Sequence, residues 1–177
     1  MRCPGATWAA CAVLGLLATA CGGVQQGNVQ MARGAYAAAE KTFKAILADH
    51  PGDTTAHRRL GLVYFNTGRY DLAAEQFKDA RTLTVPDAQL LYGLSLIGAG
   101  KTVEGCQEME MFSHPTLYRI TQEVRAEVGR ACGQTDPQAL RAGLRRAWDE
   151  GVRQEEIDRR DDDGSGGPPP NAQSTLL

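Results

Sequence analysis

The stretch TTAHRRLGLVYFNTGRYDLAAEQFKDA, residues 54–80, decides the fold. Tyr70, Ala73, Phe77 and Ala80 recur at i, i+3, i+7 and i+10, which lines one face of a helix. Before them stand Leu60, Gly61 and Tyr64, then the Asn66-Thr67-Gly68 break that separates two helices. Gly61 lets a neighbouring helix approach without a Cβ between them. Ala73 is the small partner in that crossing. Outward from this stretch the pattern repeats. Gly27, Gly34, Tyr36, Ala39 and Phe43 precede Gly61, Gly68, Tyr70, Ala73 and Phe77 by a constant 34 residues. Pro51 maps to Val85, with Pro86 beside it. A further offset of 32 carries Gly61 to Gly93, Gly68 to Gly100 and Phe77 to Met109. A fixed period of this length means stacked helical hairpins, since one hairpin cannot bury its apolar face alone.

These residues resemble the tetratricopeptide repeat, a helix–turn–helix unit of 34 residues. Leu60-Gly61, Tyr64, Gly68, Tyr70, Ala73, Phe77 and Ala80 carry the resemblance, and His57 departs from it where a large residue is usual. The fold class expected is therefore all-α: a short tetratricopeptide-type solenoid of about three helix pairs. The first and third units are degenerate. In the first, Gln26 and Gln30 stand where Leu60 and Tyr64 stand in the second, so its first helix is expected to be short or frayed.

Beyond His114-Pro115 the chain supplies a cap. Leu117, Ile120, Val124, Val128 and Ala131 give one amphipathic helix. Asp136-Pro137 offers an N-cap and a first-turn proline, and Leu140, Leu144, Ala147 and Trp148 form the next apolar face. From about Asp158 the composition turns to acidic residues, then Gly, Ser and Pro, and a disordered tail is expected. The organisation expected is a leader over 1–20, repeats over 21–115, capping helices over 116–157 and a tail over 158–177.

The leader is read from Met1-Arg2 followed by the apolar run Ala6–Ala20, a secretory core too short to span a bilayer. Leu17-Ala18-Thr19-Ala20-Cys21 resembles the bacterial lipobox, with Ala18 where Leu is commoner. That resemblance implies lipid on Cys21, with a secretory peptide cut after Ala20 as the plainer alternative. Gly22 rather than Asp after the cysteine favours the outer membrane, periplasmic face; the inner membrane or soluble periplasm are the alternatives.

Two further thiols, Cys106 and Cys132, would lie in an oxidising compartment, which favours a disulfide. Straight antiparallel helices about His114 would instead place Cys132 roughly 15 Å past the residue facing Cys106. A disulfide needs Cα atoms within about 7 Å, so compartment and hairpin geometry disagree.

The rest of the chemistry is sparse. A formal net charge of −2 gives no footprint for nucleic acid. Gly98-Ala99-Gly100-Lys101-Thr102 echoes a phosphate-binding loop, but Ser95 stands where its first glycine belongs, and a helix rather than a strand precedes it. Gly100 is the turn glycine of the third unit. His50, His57 and His114 show no metal-ligand spacing, and no nucleophile–base order stands out. No cofactor, metal, nucleotide or catalytic residue is expected.

The repeat resemblance implies a concave groove lined by one side of each unit's first helix. Carried onto this chain, it comprises Arg58, Leu62, Phe65, Asn66, Leu90, Leu94 and Ile97, flanked by Thr55, Asp87, Val24, Asn28 and Met31. A hydrophobic segment of a partner would suit it. So would a segment of the chain itself, such as the capping helices. The function implied is a membrane-anchored periplasmic scaffold for an envelope protein, similar to the small lipoproteins that assemble pili and secretins. An adaptor for cell-wall hydrolases and a thiol redox protein using Cys106 and Cys132 are the alternatives.

Overall fold

The computed structural model describes residues 22–81, 86–133 and 135–163; the leader, Cys21 and residues 164–177 lie outside them. Eight helices follow in order: α1 (22–32), α2 (Tyr36–Asp49), α3 (Thr54–Asn66), α4 (Tyr70–Ala80), α5 (Asp87–Gly98), α6 (Thr102–Glu110), α7 (Tyr118–Ala131) and α8 (Pro137–Asp163). α3/α4 and α5/α6 pack as stacked hairpins and α7/α8 as a longer one, and α1 lies on α2 through Gly27 against Phe43. The fold is an all-α solenoid of tetratricopeptide type.

Each repeat hairpin is closed by the same device. Gly34, Gly68 and Gly100 have φ of 73°, 74° and 83°, the left-handed conformation that ends a helix at low cost only for glycine. Around them the Ala35, Arg69 and Lys101 amides donate to the carbonyls of Gln30, Tyr64 and Leu96 at 2.8–2.9 Å. Carbonyls left over at the helix end are thereby satisfied.

Inside each hairpin a glycine meets a large side chain sixteen positions later. A methyl group on Gly61 would lie 2.7–2.9 Å from three carbons of the Phe77 ring. Gly27 stands in the same relation to Phe43, and Gly93 to Met109. Phe43, Phe77 and Met109 are all fully buried. In the third crossing Gly105 stands where Ala39 and Ala73 stand in the others, and a methyl group on Gly93 would lie 2.7 Å from the Gly105 carbonyl oxygen.

Two boundaries differ from the sequence reading. α1 is a continuous helix over 22–32, where a short or frayed one was expected. Gln30 replaces the missing apolar contact with a polar one, accepting a hydrogen bond from Thr42 Oγ1 at 2.9 Å. α8 runs to Asp163, past the boundary placed at 157. Its end is held by Asp158, which accepts from Arg119 Nε on α7 at 2.6 Å, and by Glu155, which accepts the Arg119 amide.

Candidate partner-binding surface

The groove residues come together as the repeat frame implies, but not at a surface. Phe65, Leu90 and Leu94 have no solvent exposure, and Leu62 and Ile97 have 5% and 2%. An open apolar groove is therefore corrected to a filled one. Leu140, Leu144 and Trp148 of α8 belong to the same continuous core as Leu62, Phe65, Leu90, Leu94 and Ile97. α8 packs on α7 and reaches across to α5. The driving force is elementary: each of these side chains gains about 1.5–3 kcal/mol on leaving water. A strip this apolar is covered by the first amphipathic helix able to reach it.

The two polar groove residues fare differently. Arg58 is buried, and its Nε donates to both carboxylate oxygens of Asp87 at 3.0 Å, with Nη2 on Oδ2 as well. This pair locks the second unit to the third. Removing one partner of such a buried pair costs about 3–5 kcal/mol, so Arg58 is a structural residue. Asn66 remains exposed, and its Oδ1 accepts from Arg141 Nη1 of α8 at 3.0 Å. Arg141 also lies 5.2 Å over the Phe65 ring. Arg59 and Arg141, both half-buried, were not among the expected groove residues. Burial pushes both guanidiniums below their usual range, and for Arg141 the charges of Arg145 and Arg58 add to it. The repeat frame could have shown Arg59, which neighbours Arg58. It could not show Arg141, because α8 lies outside the repeats.

At the other end of the stack a cleft of about 880 Å³ lies between α1 and α2, lined by Gly23, Gln26, Gln30, Thr42, Ala45 and Ile46. On the flank of α2, Glu40 binds Arg69 and Lys44, each at 2.7 Å. Their charges and hydrogen bonds hold its carboxyl at a pKa of about 2.

Cys106 and Cys132 form a disulfide, with Cα atoms 5.8 Å apart. The straight-hairpin geometry fails because α6 stops at Glu110 and α7 begins only at Tyr118. The segment between them shifts α7 along the stack. Within it, His114 Nδ1 accepts from the Leu117 amide at 3.0 Å, and its ring packs edge-on to Trp148 at 5.5 Å. The Gly98–Thr102 segment is the α5–α6 turn, with helix on both sides of it. No cluster of three or more potential metal ligands occurs among the described residues.

Residues 24–89 match the tetratricopeptide repeat family. The match spans α1 to α4 and enters α5, and the glycine-to-Met109 crossing continues the same geometry beyond it. No curated protein and no solved structure matches the chain. Tetratricopeptide repeats serve as scaffolds for protein–protein interaction, and the fold is typically not an enzymatic one.

Proposed function

We propose that this chain is a lipid-anchored periplasmic scaffold that binds an envelope protein during assembly of a pilus or secretion complex. The observation that carries the scaffold reading is the stack of three glycine-pinned hairpins, two of them within the matched repeats. Location rests on the sequence: a basic start, the apolar run Ala6–Ala20 and the Leu17–Cys21 motif. The described part of helix α1 begins at residue 22, next to Cys21. Lipid on Cys21 would hold the stack against the membrane with almost no tether, and more than one acyl chain makes such attachment stable. The outer membrane is the proposed destination, from Gly22.

A redox role for Cys106 and Cys132 gains no support from their setting. Both are half-buried, pack against the core and join α6 to the end of α7, as a structural staple does.

The test has two parts. Cys21→Ser is expected to move the protein from the detergent phase to the soluble periplasm, and the wild-type N-terminal peptide to carry acyl mass. Unchanged partitioning with no acyl mass refutes the anchor. Cross-linking in intact cells is expected to recover a pilus or secretion component; recovery of a cell-wall hydrolase instead would establish the adaptor alternative.

A further inference from the structure

The open face of α1 lies beside the residue that the sequence marks for lipid. In the second unit Leu60 and Tyr64 of α3 are buried, and Tyr64 donates to Glu40 of α2, the helix packed before it. In the first unit Gln26 and Gln30 hold the same places on α1, and no described helix precedes α1 to cover them. What remains there is the cleft of about 880 Å³ between α1 and α2. Gly23, Gln30, Thr42 and Ile46 line it half-buried, and Ala45 is exposed at its edge. At one end a Cβ on Gly23 would lie 3.3 Å from Ile46 Cδ1. At the other, Thr42 Oγ1 donates to Gln30 Oε1 at 2.9 Å. Among the described residues, no side chain lining the cleft holds a buried polar atom without a partner. A polar ligand would find no orphan donor or acceptor to satisfy, and an apolar one would strand none.

Cys21 stands two residues before Gly23, so the two Cα atoms are at most about 7 Å apart even in fully extended chain. A lipid on Cys21 therefore starts at the Gly23 end of the cleft. We propose that one acyl chain of that lipid folds back into the α1–α2 cleft and lies along Ile46, Ala45 and Thr42. This seating rests on the anchor reading, which supplies the lipid. Two acyl chains already anchor a protein stably, so a chain beyond the second leaves the bilayer without loss of attachment. In the cleft it removes its own methylenes and the Ile46 and Ala45 side chains from water. The occupant is a long-chain fatty acyl group held covalently, not a free lipid. Attachment two residues from the cleft makes entry intramolecular, at an effective concentration that a free lipid must match from solution. A chain held both at Cys21 and along α2 also removes the swivel of a lone anchor, and so fixes how the stack stands on the membrane.

The experiment is photocross-linking in intact cells fed a fatty acid that carries a mid-chain diazirine. After irradiation the lipidated full chain is purified and its tryptic peptides are mapped by mass. An intramolecular adduct joining peptide 21–33 to peptide 45–58 is expected. Ala45→Trp fills the cleft from an exposed position and is expected to lower that adduct more than tenfold, with the acyl mass and the unfolding midpoint unchanged. Acyl mass on peptide 21–33 with adducts to membrane lipid alone overturns the seating and leaves the anchor standing. Equal adduct from Ala45→Trp also overturns the seating. A phospholipid mass on peptide 45–58, in place of the intramolecular adduct, overturns the covalent source. No acyl mass on peptide 21–33 overturns the anchor itself, and the seating with it. The wild-type adduct decides even if the variant misfolds.

Discussion

Gly93→Ala probes the third hairpin, which lies beyond the matched repeats and depends on geometry alone. The added methyl would lie 2.4 Å from Met109 Cγ and 2.7 Å from the Gly105 carbonyl oxygen. Met109 is flexible and can swing aside at modest cost. The Gly105 carbonyl cannot, because it is the backbone of α6 and a Cβ on Gly105 would itself strike Gly93. α5 must therefore lift off α6 by several tenths of an ångström, opening contacts around Ile97 and Met109. Overpacking of this kind costs about 1–3 kcal/mol. Replacing a helical glycine by alanine returns about 0.5–1 kcal/mol, so the net loss is about 1 kcal/mol within a range of roughly 0–2.5 kcal/mol. Urea unfolding should show a lower midpoint, and thermal unfolding a drop of about 2–4 °C per kcal/mol lost. Adding Met109→Ala should not restore stability, because the backbone clash remains. A Gly93→Ala midpoint above wild type would show that α5 and α6 do not cross at this register.

Three further expectations use the same measurement or a close relative of it. Phe65→Ala should destabilise by about 3–5 kcal/mol, as much as Phe77→Ala, because both rings are fully buried; a folded, unchanged Phe65→Ala protein would mean the concave face is open. Reduction, or Cys106→Ser with Cys132→Ser, should lower stability by roughly 3–4 kcal/mol in the chain-entropy model; peptide mapping that finds both thiols reduced in periplasmic protein would refute the bridge. Burial lowers the His114 pKa below 6.5 despite the opposing pull of Glu155, so the folded state resists a proton that the unfolded chain accepts. Stability is then lost as pH falls below about 6.5, and the wild-type melting temperature should fall relative to His114→Asn between pH 7 and 5.

The repeat body was legible in the sequence because its information is local and periodic. A glycine, a turn glycine and an aromatic at constant spacing specify a helix crossing without reference to anything distant. Gly61, Gly68 and Phe77 did that work, and the third unit survived the replacement of Phe by Met109 because only bulk at that place matters. The surface was less legible. Helical phase puts Leu62, Phe65, Leu90, Leu94 and Ile97 on one side of their helices, but phase does not say what arrives to cover that side. Part of the covering comes from α8, which contacts α5 and lays Arg141 over the Phe65 ring, more than forty residues beyond Ile97, and no repeat relates it to them. The disulfide separation was misjudged for a similar reason. Hairpin arithmetic assumes a tight turn, and the segment from Met111 to Leu117 is a connector whose path is set by His114 and Trp148.

The position of α8 has a consequence for biosynthesis. It is the last described helix to leave the ribosome or a translocation channel, and it packs on side chains made roughly forty to ninety residues earlier. Until α8 emerges, the nascent stack lacks the helix that packs on α5 and lays Arg141 over Phe65. Such partly clothed intermediates attract chaperones and one another. Truncation before Pro137 would make that passing exposure permanent, so premature termination late in the reading frame should yield sticky chains rather than shorter working ones.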